Sequence, residues 1–89
     1  MILRVRLFAR ARDLGGADEL SLELPAGATV ADLRQRIAHV SPALRTLLPR
    51  CAVAVNSDFA EETRIVTADD EVAVLPPVSG GSERGAPPR

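Results

Sequence analysis

A chain of 89 residues, 46% of them hydrophobic and with no apolar run near the ~20 residues that cross a bilayer, reads as one small globular domain without a membrane span. A formal net charge of −1 and two aromatic residues argue against a nucleic-acid surface. One cysteine, Cys51, leaves no internal disulfide, no four-thiolate metal site and no iron–sulfur centre.

Ile2 to Phe8 alternates, with Leu3, Val5 and Leu7 on one face and Arg4, Arg6 and Phe8 on the other. This pattern predicts a half-buried strand. No separate apolar signal segment precedes it, so a cytoplasmic location is the expectation. Gly15-Gly16 is a turn signal, followed by a second alternating run, Leu20, Leu22 and Leu24. The two runs predict an antiparallel hairpin, with an irregular loop from Phe8 to Gly15. Pro25-Ala26-Gly27 ends the second strand. Thr29 reads as a helix N-cap, with Asp32 at capping-box spacing. Val30, Leu33, Ile37 and Val40 then mark the apolar face of a helix of about ten residues, with Arg34, Gln35 and Arg36 pointing away.

Ser41-Pro42 resembles a second helix start, Ser as cap and Pro at the first helical position, with Pro49 as its stop. His39 reads as a residue of the preceding helix's C-terminal turn, not as a ligand. Cys51 to Val55 is a third strand, in which Cys51 is a small buried residue and not a nucleophile. Asn56-Ser57-Asp58 turns it. Phe59 and a polar crossing follow, then Ile65-Val66 as a brief strand or a packing contact. Asp69-Asp70 is a turn. Glu71 to Leu75 is the last strand, with Val72 and Val74 facing inward and Leu75 on the charged face.

This order predicts an α+β fold of the ubiquitin-like β-grasp type: a mixed sheet of four to five strands, covered on one face by one main helix. The first and last strands would lie side by side in the middle. The uncovered face would carry Phe8 and Leu75, with Phe59 nearby, as an interface candidate.

After the last strand comes Pro76-Pro77-Val78-Ser79-Gly80-Gly81. The prolines stiffen the root of this arm and the glycines thin its tip. Extended, Leu75 to Gly81 reaches roughly 20 Å at about 3.3 Å per residue. A narrow channel that excludes side chains admits Gly80-Gly81, so the arm is read as the functional part and the Gly81 carboxyl as its reactive group. A frayed tail is the commoner fate of such a dipeptide.

Phe8-Ala9-Arg10-Ala11-Arg12-Asp13-Leu14, the Asn56 turn, and Asp70-Glu71-Val72-Ala73-Val74-Leu75-Pro76-Pro77-Val78-Ser79-Gly80-Gly81 together resemble the small subunit of molybdopterin synthase, a ubiquitin-like sulfur-carrier family. The resemblance covers residues 1–81, the expected carrier domain. It implies that an E1-like adenylating enzyme uses ATP to activate the Gly81 carboxylate and that a sulfur donor displaces AMP. The resulting thiocarboxylate then enters the molybdopterin synthase large subunit, which builds the dithiolene of molybdopterin. The carrier itself binds no cofactor and no metal. By the same resemblance Phe8, Phe59 and Leu75 match partner-binding positions, with Pro76 and Pro77 behind them, and Arg12 matches a family arginine.

The chain departs from the family pattern in two places. Val74 and Leu75 stand where the family has aromatics, which would weaken or retune the docking patch. Residues 82–89, Ser82 to Arg89, follow the Gly-Gly and keep the Gly81 carbonyl an amide. They are read as a flexible extension, with three accounts open: removal by a processing protease, which is favoured; a recombinant addition; or loss of the carrier role. Every one of the 11 basic residues is arginine. Compositional bias towards Arg and Ala is the favoured account; a need to keep amines away from an activated carboxyl group is the alternative. Other functions left open are a carrier serving cysteine or thiamin synthesis and a non-covalent β-grasp interaction module. An enzyme in its own right is disfavoured, because the sequence offers no nucleophile–base grouping and no phosphate-binding glycine loop.

Overall fold

The computed structural model describes residues 1–77. Strand β1 (Ile2–Leu7) alternates as its sequence requires, with Leu3, Val5 and Leu7 buried and Ile2, Arg4 and Arg6 exposed. The stretch expected to be an irregular loop is instead a helix, α1 (Ala9–Gly15). Its alanines and arginines are good helix formers, and Ala11 is small enough to be fully buried against its neighbours. The two glycines finish that helix and do not turn a hairpin. A Cβ on Gly15 would lie 2.9 Å from Leu7 Cδ1, so the glycine lets α1 approach β1 closely. Gly16 takes φ +73° and donates its N–H to the Arg12 carbonyl at 2.9 Å, a left-handed helix cap.

Strand β2 (Glu19–Glu23) returns antiparallel to β1, pairing Leu3 with Leu22 and Val5 with Leu20. Helix α2 (Val30–Val40) opens with the expected capping box. The Thr29 N–H donates to Asp32 Oδ2 at 2.9 Å, and the Asp32 N–H donates to Thr29 Oγ1 at 3.3 Å. Val30, Leu33 and Ile37 are fully buried, but Val40 is 45% exposed, so the apolar face stops one turn early. Gln35 is exposed as expected, whereas Arg34 and Arg36 are part-buried. Arg34 lies back along the body, donating to the Leu48 carbonyl at 2.6 Å and to Glu62 Oε2 at 2.8 Å.

Residues 42–50 form two 3₁₀ turns, Pro42–Leu44 and Leu48–Arg50, joined by a turn. Pro42 does open the first, but the Ser41 side chain makes no cap hydrogen bond, and Pro49 sits inside the second turn and does not stop a helix. Leu44, Leu47 and Leu48 close this end of the core.

Strand β3 (Ala52–Val55) and strand β4 (Asp58–Phe59) form a hairpin with a two-residue turn. Asn56 has φ +53° and Ser57 φ +72°. A left-handed residue with a Cβ costs roughly 1–2 kcal/mol, partly offset in Ser57→Gly by glycine's larger loss of freedom on folding. Ser57→Gly should therefore stabilise the domain by about 0.5–1 kcal/mol, read as a melting temperature raised by roughly 4 °C. Of the pair Ile65-Val66, Ile65 bridges Thr29 and Val66 packs in the core.

Strand β5 (Val72–Leu75) lies between β1 and β3. The sheet order is β2-β1-β5-β3-β4, with β1 and β5 parallel at its centre and the other pairs antiparallel. The entry to β5 is pinned by Asn56. Its Nδ2 donates to Asp70 Oδ1 at 2.9 Å, and its Oδ1 accepts from the Glu71 N–H at 2.9 Å. The Thr67 N–H also donates to Asp70 Oδ2, at 2.8 Å. The Thr67 hydrogen bond first, then the Asn56 side chain, hold the Asp70 carboxyl below its ordinary pKa. A depressed carboxylate stabilises the fold above its unfolded value near 4, and that contribution disappears as pH falls through the folded value. Asp70→Asn should accordingly flatten the acid arm of a stability-versus-pH curve below about pH 4.

The core joins Leu3, Val5 and Leu7 of β1, Leu22 of β2, Val53 and Val55 of β3 and Val72 and Val74 of β5 with Val30, Leu33 and Ile37 of α2. This is the β-grasp arrangement, a five-stranded sheet with its main helix on the core side. No helix among the described residues is long and apolar enough to cross a membrane.

Candidate functional site

The register of the central strands assembles the uncovered face. Leu7 pairs with Val74 across the parallel ladder, so Phe8, still extended at φ −122° and ψ 153°, comes one step on, level with Leu75. Leu75 in turn sits opposite Ala52. The next row runs Arg6, Ala73, Ala54 and Phe59. Three alanines thus form a low apolar strip, with Phe8 and Leu75 at one end and Phe59 on the edge strand. Phe59 is 77% exposed and Phe8 36% exposed. The Arg6 guanidinium lies 5.4 Å from the Phe8 ring centroid, a cation–π contact worth roughly 0.5–1 kcal/mol at an exposed site.

Pro76 and Pro77, just past β5, help to line an open groove of ≈ 860 Å³. Ala9, Arg10, Asp13 and Leu14 of α1 form one wall, and Thr46, Leu47 and Arg50 the other. Pro76 is half-buried and Pro77 exposed. Arg12 lies apart from this groove, with its Nε 3.7 Å from Asp18 Oδ1 in an exposed ion pair. Gly80 and Gly81 lie outside the described residues.

Sequence reasoning missed Arg10, Arg50 and the alanine strip. The strip had a signal: in Ala52-Val53-Ala54-Val55 the small residues alternate with the large, and Ala73 repeats the choice on β5. Arg10 and Arg50 had none, because they meet only through the tertiary fold.

Cys51 is buried, and its thiol donates to the Leu47 carbonyl at 3.3 Å. Burial pushes the thiol's pKa up, against the opposing charges of Arg34 and Arg50, which disfavours the nucleophilic thiolate. His39 is exposed on the last turn of α2. Among the described residues no group of three or more His, Cys, Asp or Glu side chains could hold a metal ion.

A small β-grasp body, an apolar strip on the open face of its sheet and a proline-stiffened arm leaving the central strand define a ubiquitin-like carrier class. The chain belongs to the ThiS family, whose model matches residues 5–81. It is 36% identical over 84 residues to the molybdopterin synthase sulfur carrier subunit of Escherichia coli (strain K12), covering 90% of this chain and 100% of that one. It is 35% identical over 79 residues to the protein of the same name from Arabidopsis thaliana, covering 89% and 82%. Among solved structures, SAMP1 from Haloferax volcanii superposes with a TM-score of 0.83 at 27% identity, covering 91% of this chain and 100% of that one.

Proposed function

We propose that this chain is the sulfur carrier subunit of a molybdopterin synthase, acting in the cytoplasm. The observation that carries the reading is its 35–36% identity, over most of both chains, to proteins bearing that name in a bacterium and a plant. In this reading residues 82–89 are removed by a protease, because Gly81 is otherwise an amide and offers no carboxylate. An E1-like enzyme then joins the Gly81 carboxylate to the AMP moiety of ATP, releasing pyrophosphate. A donor supplying sulfur at the sulfide level attacks the acyl carbon. A C–S bond forms, the C–O bond to AMP breaks, and Gly81 is left as a thiocarboxylate. The large subunit takes the arm and uses that sulfur.

This chain's residues bind and present. Pro76 and Pro77 fix the direction of the arm, and Gly80 and Gly81 fit where side chains would clash. Phe8, Leu75 and Phe59 dock the body, with Arg12 as a peripheral contact. ATP belongs to the activating partner.

The test is intact mass after incubation with ATP, the cognate E1-like enzyme and sulfide, for the full chain and for a chain ending at Gly81. Among the described residues the core cluster runs from Leu3 to Val74, and trimming at Gly81 removes none of these. Only the trimmed chain should exchange one oxygen for sulfur. If neither does, the carrier reading fails and a non-covalent β-grasp module takes its place.

A further inference from the structure

We propose that the groove between α1 and residues 46–50 is a second docking surface, separate from the open sheet face, and that it takes an acidic segment of the large subunit. The inference rests on the carrier reading for the identity of that partner. It adds a contact of different chemistry, ionic where the sheet face is apolar.

The whole chain carries a formal net charge of −1, yet this groove is locally positive. Arg10 stands on one wall and Arg50 on the other, and both are exposed. Asp13 is the one carboxylate in the lining, set against those two guanidinium groups. Neither Arg10 nor Arg50 has an ion-pair partner among the described residues, whereas Arg12 is paired with Asp18 and Arg34 with Glu62. Much of the remaining lining is apolar: Leu14, which is 39% exposed, with Leu47, Pro76 and Pro77. A guanidinium presents a planar fork of donors that matches the two oxygens of a carboxylate. The groove therefore suits a segment with an apolar residue beside carboxylates, and repels a basic one.

The groove also continues the sheet face. Phe8 and Leu75 stand level at the end of the central strands, and the residues that follow them, Ala9 and Pro76, already line the groove. A partner seated on Phe8 and Leu75 thus has its adjoining surface over Arg10 and Arg50. Exposed charges at the rim of an interface act mainly on the encounter rate, and salt screens them. Because the chain as a whole is negative, the attraction is local to the groove and not a property of the net charge.

The test measures the association rate of the cognate large subunit with chains ending at Gly81, by stopped-flow fluorescence across a range of salt concentrations. The variants are R10E and R50E. R64E is the control, an exposed arginine outside the groove whose reversal gives the same net charge. Thermal melts establish that each is folded, and R10Q and R50Q carry the test should a reversal not fold. Light scattering of the chain alone tests for self-association.

The expected result is an association rate lower by about tenfold in R10E and R50E, and by about threefold in R10Q and R50Q, at about 0.01 M salt. R64E should change it less than about twofold, and the differences should close at about 1 M salt, where screening acts within about 3 Å. If the unsubstituted chain does not bind the large subunit, this inference and the carrier reading fall together. If it binds, and R10E and R50E associate like R64E, only this inference is overturned. If the chain alone forms dimers that R10E and R50E break, the occupant is a second copy and the inference is likewise overturned.

Discussion

Phe8→Asp should weaken binding to the large subunit about 100-fold or more, while leaving the melting temperature within about 3 °C of the unsubstituted protein. A 100-fold loss corresponds to about 2.7 kcal/mol, within the range of a buried aromatic anchor at an interface. Phe8 stands level with Leu75 beside the alanine strip, with the Arg6 guanidinium 5.4 Å from its ring centroid. An aspartate there is well hydrated in the free protein and would meet Arg4 and Arg6 on the same face, so folding tolerates it. On docking it becomes a desolvated charge. Phe59→Asp should cost less, because that ring sits on the two-residue edge strand at the margin of the strip. Calorimetric titration of the large subunit with both variants decides the matter. Equal affinities for Phe8→Asp and the parent chain would remove the open sheet face from the docking surface.

Leu33→Ala should lower stability by about 3 kcal/mol, since truncating a buried leucine costs roughly 2–5 kcal/mol. Leu33 is fully buried at the middle of α2, in the core that joins helix to sheet. A domain of this size has a total stability of roughly 5–10 kcal/mol, so the loss should appear as a melting temperature lower by roughly 15 °C. Val40→Ala, on the same helix, is the control. Val40 is 45% exposed, and its truncation should cost less than about 1 kcal/mol. A comparable drop for both would mean that α2 is seated a turn further round than the structure has it.

The contrast between those leucine and valine positions marks where sequence reading succeeds. Strands β1, β2, β3 and β5 and the long helix were legible because each carries a one-face pattern, such as Leu3, Val5, Leu7 at period two and Val30, Leu33, Ile37 at helical period. The two-residue β4 carries none: Asp58 reads as turn, and Ile65-Val66 as the brief strand or packing contact. The central pairing of the first and last strands followed from that order of elements. Helix α1 was not legible, because seven residues make only about two turns and its one buried residue is Ala11. Gly15-Gly16 misled for a physical reason. The same dipeptide that turns a hairpin also ends a helix, and only the closeness of Leu7 to Gly15 tells the two apart. Arg34 and Arg36 looked like solvated positions. Arg34's long stem lets it lie along the body and reach the Leu48 carbonyl, which no local pattern announces. For the site, Phe8 and Leu75 fell out of strand parity and Phe59 only as a neighbour, while the groove walls belong to segments far apart in the chain.

Leu75 ends a strand that is hydrogen-bonded on both flanks. A partner that seizes the arm and tugs on it therefore loads two ladders in shear, with many bonds sharing the strain together. The same arm hung from an outer strand would let each tug unzip one bond after another. In the proposed carrier role, this central anchorage of β5 would let the body bear a pull on the arm without unravelling.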